Sequence, residues 1–196
     1  MTLKAGPDGR PRCGWALSAP EYLDYHDHEW GRPVTTVSGL YERLSLEAFQ
    51  SGLSWITILR KREGFRAAFA GFDPELVATF GSADVERLMN DERIVRNRAK
   101  IEATIANARV VQRLGEDFPR LIAAYAVPDR PRPTAETVPA TSPESVAMAA
   151  ALKAAGISFV GPTTAYALMQ AVGLVDDHLE GCFVPPAWSA ADVAGG

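Results

Sequence analysis

A glutamate and a tryptophan stand on either side of a predicted turn near the middle of the chain, at Glu47 and Trp55. Apolar residues recur at helical spacing up to the glutamate, and Ser51-Gly52 predicts the end of that helix. A carboxylate, a large aromatic ring and a glycine that lets another backbone approach suit a pocket for a flat molecule with polar edges. The alternative is an exposed helical glutamate and a core tryptophan, because glutamate is usually solvated and tryptophan usually buried.

A second group of chemically useful side chains shares one face of a helix predicted over residues 20–28. Tyr22, Tyr25 and His26 are spaced i, i+3 and i+4, so all three point the same way. Trp30-Gly31 predicts the end of this helix. The face therefore offers two phenolic hydroxyls and one imidazole to whatever packs beside it.

Each end of the chain carries one cysteine and one histidine that could bind a metal. Cys13 and His26 lie near the N-terminus, and His178 and Cys182 lie near the C-terminus. Together they could complete a tetrahedral Cys2His2 zinc site, which would be structural because four protein ligands leave no open position. The spacing differs from that of a zinc finger, and the alternative is two buried free thiols. His28, the remaining histidine, is expected at the surface.

Two predicted helices meet at a glycine-bounded turn over residues 156–161. One helix ends at Gly156 and the next begins after Gly161, with apolar residues between them. This pattern is that of a helix-hairpin-helix, in which backbone N–H groups at the start of the second helix hold a DNA phosphate. Such binding needs no basic side chain, which suits a chain of net charge −4. The alternative is an ordinary helix pair with glycine stops, which is far commoner.

The elements that must position these residues are helices, because no alternating strand pattern is sustained in the sequence. We therefore predict an all-α protein with one domain over residues 12–186 and flexible tails at residues 1–11 and 187–196. Gly64 is expected to interrupt the helix that follows the central turn. Residues 128–143 hold five prolines and predict an extended surface loop.

The composition is that of an ordinary globular protein, with 47% hydrophobic and 22% charged residues among 196. No apolar run reaches the ~18 residues of a membrane span, and no signal segment is visible, so we expect a cytoplasmic protein that does not bind membranes. We also expect a monomer, although nothing in the sequence reveals the oligomeric state. Because the net negative charge repels DNA, a nucleic-acid partner would need a local basic patch. Residues 60–66 and 93–100 are basic enough, although such runs are more often solvated helix faces.

Taken together, these residues resemble the DNA-3-methyladenine glycosylase I family over residues 12–186. The motifs that carry the resemblance are, in chain order, Arg12-Cys13-Gly14-Trp15, Tyr25-His26-Asp27, Glu29-Trp30-Gly31, Leu46-Glu47, Gly52-Leu53-Ser54-Trp55-Ile56, Phe159-Val160-Gly161, Met169-Gln170-Ala171, Asp177-His178 and Gly181-Cys182. The resemblance implies a helix-hairpin-helix DNA repair fold around residues 143–173. It also implies a structural zinc clamp made by the two cysteines and two histidines described above.

The resemblance further implies excision of 3-methyladenine from alkylated double-stranded DNA. By similarity, Glu47 and Tyr25 hydrogen-bond the polar edge of the flipped base, and Trp55 stacks on its face. The remaining implied contacts are an aromatic wall of Trp15 and Tyr22, insertion into the duplex by Gly52 and Leu53, and DNA contacts of the hairpin at Phe159, Gly161 and Thr163. Because N3-methylation makes the base cationic and weakens its glycosidic bond, such an enzyme must flip and bind the base more than protonate it.

Two positions bear on the details of the reaction. Thr163 stands where bifunctional relatives carry a Schiff-base lysine, so strand cleavage is not expected. Asp176 stands where many hairpin relatives carry a catalytic aspartate and where the resembled family often has asparagine. It could stabilise the developing sugar cation or orient His178 at the metal, and we favour the second role.

Two other functions remain open from the residues alone. A zinc-stapled module could bind DNA without cleaving it, and a zinc hydrolase could act on small molecules. The joint presence of Glu47, Tyr25 and Trp55 favours catalysis on DNA, because a duplex-binding module has no need of a base pocket. Four protein ligands leave no open metal position for a zinc hydrolase.

Overall fold

Helices make up most of the computed structural model, which describes residues 2–134 and 138–186. In chain order they are α1 (Pro20–His28), α2 (Val37–Gln50), α3 (Trp55–Ala68), α4 (Pro74–Val77), α5 (Ser82–Met89), α6 (Arg98–Leu114), α7 (Asp117–Ala123), α8 (Pro143–Ala155) and α9 (Pro162–Ala171). Short 3-10 turns lie at Gly14–Leu17 and Ala70–Phe72. The prediction of a mainly helical protein is confirmed. Among the described residues, no helix is both long and apolar enough to cross a membrane.

The N-terminal residues form a β-hairpin where the sequence predicted a flexible tail without strands. Strand β1 (Leu3–Ala5) pairs antiparallel with β2 (Pro11–Cys13), and Leu3 lies opposite Cys13. The strands are three residues long, too short for an alternating pattern to be recognised. Because β2 ends at Cys13, the hairpin is continuous with the metal-ligand candidates. The predicted C-terminal tail at 187–196 lies outside the described residues.

Helix α2 lies at the centre of the main core and packs against α3, α6 and α9. The largest fully buried side chains around it are mostly aromatic and include Tyr41, Phe49, Phe65, Phe69, Phe72, Phe118 and Tyr166. Helix α3 runs through Gly64 without a break, so the predicted interruption there is wrong. A Cβ on Gly64 would lie 2.6 Å from the Arg93 carbonyl oxygen, which means that this glycine admits a neighbouring segment.

Helices α8 and α9 pack against each other and are joined by residues 156–161. Ser142 caps α8 by accepting a hydrogen bond from the Ser145 N–H, and Pro143 follows it in the first turn. Gly156 ends the helix with a left-handed φ of 101°, which glycine adopts at little cost. The predicted helix pair and its glycine-bounded turn are therefore present.

A smaller core joins the two ends of the chain. It contains Cys13 from β2 together with Leu179, Cys182 and Val184, and Trp15 packs against it. The predicted surface loop after residue 128 also contributes to this region, because the Arg132 guanidinium donates to the Cys182 and Val184 carbonyl oxygens. Part of that loop therefore binds the C-terminal segment.

Candidate functional site: an aromatic pocket beside a buried Cys/His cluster

The main candidate site is a pocket of about 440 Å³ between α1, α2 and α9. It brings together five residues that the sequence selected: Trp15, Tyr22, Tyr25, Glu47 and Trp55. It also has lining residues to which the sequence gave no role: Ser18, Trp30, Gln50, Val138, Ala167 and Gln170. Trp30 and Gln170 lie within motifs of the resembled family, and this was the only signal for them.

Glu47 occupies the last turn of α2 and is only 6% exposed. Its carboxylate makes no hydrogen bond with any described residue, and burial raises its pKa from 4.5 to about 8. The positive charge of Arg43, one helical turn earlier, opposes this shift. That arginine is itself paired with Glu29. The pocket thus holds a carboxyl group that burial leaves short of polar partners, and a ligand donor or cation would relieve that cost.

Tyr25 and Trp55 form the aromatic side of the pocket. Their rings lie 5.5 Å apart at an angle of 45°. Burial and the Glu47 charge raise the pKa of Tyr25, so its hydroxyl remains neutral and can donate a hydrogen bond. The Trp55 Nε1 atom is buried and has no hydrogen-bond partner among the described residues. The pocket therefore combines flat apolar faces with unused polar groups.

Tyr22 and Trp15 complete the wall at the start of α1 and α3. The Tyr22 hydroxyl accepts a hydrogen bond of 2.9 Å from the Ile56 N–H, an otherwise unpaired donor in the first turn of α3. This bond fixes the helix start from which Trp55 projects. Trp15 meets the rings of Tyr22 and Trp30 edge-on, at 5.6 and 5.1 Å.

The turn between α2 and α3 carries the two residues predicted to enter DNA. Gly52 has a φ of 83°, which favours glycine, and its missing side chain leaves open space. Leu53 is 41% exposed, which is unusual for a leucine beside a pocket. A second cavity of about 330 Å³ lies between this turn and the start of α9 at Thr163. Both cavities share Glu47 as a lining residue.

The turn between α8 and α9 carries residues that are predicted to contact DNA, and it lies at the surface. Phe159 is 48% exposed and has a φ of 60°, which is uncommon for a residue with a side chain. Gly161 stands immediately before α9, and a Cβ there would contact nothing within 4 Å. The N-terminal N–H groups of α9 are therefore approachable from solvent beside the second cavity.

The four predicted metal ligands form one buried cluster. The candidate ligand atoms of Cys13, His26, His178 and Cys182 all lie within 4.8 Å of one another. The Cys182 sulfur is 3.5 Å from His26 Nε2 and 3.7 Å from His178 Nδ1, and the Cys13 sulfur is 3.9 Å from His178 Nδ1. Metal–ligand bonds of about 2.0 to 2.3 Å place neighbouring ligands of a tetrahedral zinc ion roughly 3.6 Å apart. The donor set and spacing fit a tetrahedral metal.

Partners around the cluster orient both histidines with one nitrogen towards its centre. His26 Nδ1 lies 2.8 Å from Asp27 Oδ1, which leaves Nε2 for the cluster. His178 Nε2 lies 3.3 Å from the Trp30 carbonyl oxygen, which leaves Nδ1. Such outer partners typically fix the tautomer of a metal-binding imidazole. The Leu179 N–H also donates to the Cys13 sulfur.

Asp27, beside the Cys/His cluster, is another residue to which the sequence gave no role, although it stands in the Tyr25-His26-Asp27 motif. Its carboxylate accepts two parallel hydrogen bonds from the Arg12 guanidinium, at 3.0 and 2.8 Å. Burial would raise its pKa, but the hydrogen bonds from Arg12 and His26 hold that pKa below the usual range. The charged carboxylate can therefore keep the His26 ring in place.

Asp176 is not among the residues that line the pocket. One carboxylate oxygen accepts from Arg132 Nε at 2.8 Å, and the other accepts from the His178 backbone N–H at 3.1 Å. These contacts position the segment that carries His178, and an orienting role for Asp176 at the metal stays a prediction. Its neighbour Asp177 accepts a hydrogen bond from Gln170 Nε2 and so fixes the orientation of an amide in the pocket wall.

Most cations of the two basic stretches are paired with acidic or backbone partners. Arg62 and Arg66 both bind Glu42, and Arg93 binds Asp91. Lys100 is buried and donates to backbone carbonyl oxygens. A continuous phosphate clamp of free cations is therefore not formed by these residues, which agrees with the commoner interpretation of such runs.

The sequence also matches characterised proteins. The family model described as methyladenine glycosylase matches residues 15–185. DNA-3-methyladenine glycosylase 1 of Escherichia coli (strain K12) is 46% identical over 182 residues, which cover 89% of this chain and 97% of the relative. DNA-3-methyladenine glycosylase of Haemophilus influenzae is 42% identical over 178 residues, which cover 87% and 96%.

Solved structures give the same result. A crystal structure of 3-methyladenine DNA glycosylase I has a TM-score of 0.83 at 45% identity, covering 89% of this chain and 100% of that one. A variant of 3-methyladenine DNA glycosylase I in complex with 3-methyladenine has a TM-score of 0.83 at 33% identity, covering 89% and 97%. The fold and these likenesses define an enzyme that hydrolyses N-glycosyl bonds. The chain belongs to the methyladenine glycosylase family.

Proposed function

We propose that this protein excises 3-methyladenine from alkylated double-stranded DNA in base-excision repair. The observation that carries the proposal is the buried Glu47 carboxyl, which has no hydrogen-bond partner among the described residues and lies beside the Tyr25 hydroxyl and the Trp55 ring. Polar groups in a buried pocket are costly unless a ligand pairs with them. A relative of the same fold carries 3-methyladenine in its crystal structure, which supports this base as the ligand.

The pocket residues suit recognition of a cationic base. Aromatic faces attract an electron-poor ring, and each such contact contributes roughly 0.5 to 2 kcal/mol. The Glu47 carboxylate accepts from the exocyclic amine, and the Tyr25 hydroxyl binds the same polar edge. A base without that amine leaves the carboxylate unpaired, so it is discriminated against. Because methylation already weakens the glycosidic bond, binding of the flipped base in this pocket supplies most of what the reaction needs.

The two surface turns suit the DNA duplex. Leu53 enters the stack where the base leaves, and the left-handed Gly52 lets the backbone come close to the DNA. The N–H groups at the start of α9, after Gly161, hold a phosphate as a helix-hairpin-helix does. Phe159 and Thr163 lie beside that phosphate and complete the DNA contact.

We also propose that the Cys/His cluster binds zinc in a structural role. Cys13 and His26 come from the N-terminal segment, and His178 and Cys182 come from the C-terminal segment. When bound, zinc supplies ligand bonds that hold these two segments together, and its binding free energy adds to the stability of the fold. No open position is left for a water or a substrate.

The first test is a single-turnover incubation of the zinc-loaded protein with methylated duplex DNA. We expect free 3-methyladenine and a strand that is intact but alkali-labile, because Thr163 cannot form a Schiff base. Glu47→Ala should abolish most of the release at unchanged zinc content, whereas the control Glu102→Ala, on an exposed face of α6, should not. DNA binding without base release would instead indicate a lesion-binding module. Borohydride trapping of the enzyme on DNA would refute the monofunctional assignment.

A further inference from the structure

Helix α6 buries three polar side chains on a mainly apolar face, and two of them, Lys100 and Asn107, bind segments outside the helix. Lys100 is 9% exposed and Asn107 is 3% exposed, and they are seven residues apart. Seven residues make almost two turns, so the two side chains lie on the same face, roughly 10 Å apart along the helix axis. Burying a lysine and an asparagine in one core face is costly unless each has specific partners.

Lys100 binds the turn between α2 and α3. Its ammonium group donates to the Phe49 carbonyl oxygen at 2.9 Å and to the Ser51 carbonyl oxygen at 2.6 Å. These oxygens belong to the C-terminal end of α2, where carbonyl groups lack helical partners and a cation is favourable. The lysine therefore fixes the backbone directly before Gly52 and the exposed Leu53.

Asn107 binds the turn between α8 and α9. Its amide nitrogen donates to the Ser158 carbonyl oxygen at 3.0 Å, and its amide oxygen accepts from the Ser158 N–H at 2.9 Å. Both backbone groups of Ser158 are thus held by one side chain, immediately before the exposed Phe159. An aspartate would keep the shape of this side chain but lose its donor.

The α2–α3 turn lines the second cavity through Gly52 and Leu53, and the opposite wall is the start of α9 at Thr163, two residues after the α8–α9 turn ends at Gly161. Exposed turns have low local stability, whereas α6 is the longest described helix and is buried along one side. We infer that α6 sets the distance and orientation between the two DNA-facing turns, with Lys100 and Asn107 as positioning residues for base flipping. This inference rests on the proposed function, because it assigns the two turns to the duplex.

The test compares Lys100→Met, Asn107→Asp and their double variant with the control Thr104→Val. Thr104 lies on the same buried side of α6, and its hydroxyl donates only within the helix, to the Lys100 carbonyl oxygen. Three quantities are measured: excision from methylated duplex, the fluorescence rise of a 2-aminopurine beside a tetrahydrofuran abasic analogue, and binding of free 3-methyladenine. Lys100→Arg, which keeps a cationic donor, is included as the conservative variant.

Each single variant should slow excision and reduce the 2-aminopurine rise about tenfold, because small misplacements of a reacting group cost up to about a hundredfold. Free 3-methyladenine should bind within about twofold of the wild type, since it needs the pocket and neither turn. The double variant should lose little more activity than either single variant. Both substitutions disturb the same relative position of the two turns, so their effects should not add. Lys100→Arg should recover part of the fluorescence rise.

Other outcomes overturn the inference. Wild-type flipping in both single variants, or an equal loss in Thr104→Val, would leave the two side chains with a purely structural role. A tenfold loss of free 3-methyladenine binding in the single variants would mean that Lys100 and Asn107 act through the pocket. If the losses of excision rate multiplied in the double variant, the two residues would act independently. If the wild type itself released no base, the proposed function would fail, and this inference with it.

Discussion

His26 and Asp27 are consecutive residues of α1, and the Nδ1 atom of the histidine lies 2.8 Å from a carboxylate oxygen of the aspartate. The aspartate is held in turn by Arg12, which also binds Asp8. A histidine whose Nδ1 is bound in this way presents Nε2 to the Cys/His cluster. The same helix carries Tyr25 into the pocket, so the cluster and the pocket share one element.

Asp27→Asn should weaken metal binding by roughly ten- to a hundredfold, as loss of such outer carboxylates typically does. The asparagine no longer supplies a charged acceptor for His26, and Arg12 loses its bidentate partner. Competition with a chromogenic chelator measures the affinity. Asp24→Asn is the matched control, because Asp24 binds the exposed His28 on the same helix. Equal affinities of Asp27→Asn and the wild type would show that the ring is oriented without Asp27.

Cys182→Ala should lower both the zinc content and the melting temperature. The variant removes one of four ligands and loosens the contact between the C-terminal segment and β2. Atomic absorption after dialysis measures the metal, and calorimetry measures the melting temperature. A chelator should lower the melting temperature of the wild type but change that of the variant little. Unchanged zinc content and melting in Cys182→Ala would rule out the clamp.

Glu47→Gln should change how stability depends on pH. Burial raises the pKa of Glu47 from 4.5 to about 8, so the folded protein holds this proton more tightly than the unfolded chain. The wild type therefore loses stability as the pH rises from about 4.5 to 8, by roughly 1.4 kcal/mol for each pKa unit, a few kcal/mol in all. The neutral glutamine removes this loss.

The measurement is the free energy of unfolding of both proteins in urea between pH 5 and pH 8.5. Glu47→Gln should be increasingly more stable than the wild type towards the alkaline end. The exposed Glu102 gives the control substitution Glu102→Gln, which should run parallel to the wild type. A difference between Glu47→Gln and the wild type that stays constant with pH would contradict the raised pKa.

Asp176→Asn should retain most of the excision activity. The asparagine can still accept from the His178 N–H, although it loses the charge that pairs with Arg132. We therefore expect a modest fall in melting temperature and a single-turnover rate within a few-fold of the wild type. A fall of a hundredfold or more at unchanged zinc content would assign Asp176 to the chemistry instead.

Gly64→Ala should destabilise the protein, although the intrinsic helix propensity of alanine is about 1 kcal/mol more favourable than that of glycine. The added methyl group would meet the Arg93 carbonyl oxygen at 2.6 Å, so α3 or its neighbour must move. Overpacking of this kind typically costs about 1 to 3 kcal/mol. Urea unfolding measures the difference. A more stable variant would mean that the segment around Arg93 shifts at little cost.

Local signals in the sequence were sufficient for most of the helices. The cap at Ser142 and the left-handed stop at Gly156 depend on side-chain and backbone preferences within a few residues. The spacing of Tyr22, Tyr25 and His26 likewise placed all three beside the pocket or the cluster, because a helix fixes the direction of neighbouring side chains. Residue types also selected Glu47, Trp55 and the four metal-ligand candidates, and motif resemblance supplied the remaining predicted site residues.

Patterns and motifs were thus enough to predict a mainly helical fold, the family, the four cluster residues and five of the pocket residues, but gave no role to Ser18, Gln50, Val138 and Ala167. Only the tertiary structure decided that Gly64 admits a neighbour rather than ending a helix, that residues 3–13 form a hairpin, and that Lys100 and Asn107 hold two distant turns. Each of these depends on groups far apart in the chain. Local preferences act over a few residues, whereas close approach, strand pairing and burial of a polar group are settled only when the chain is packed.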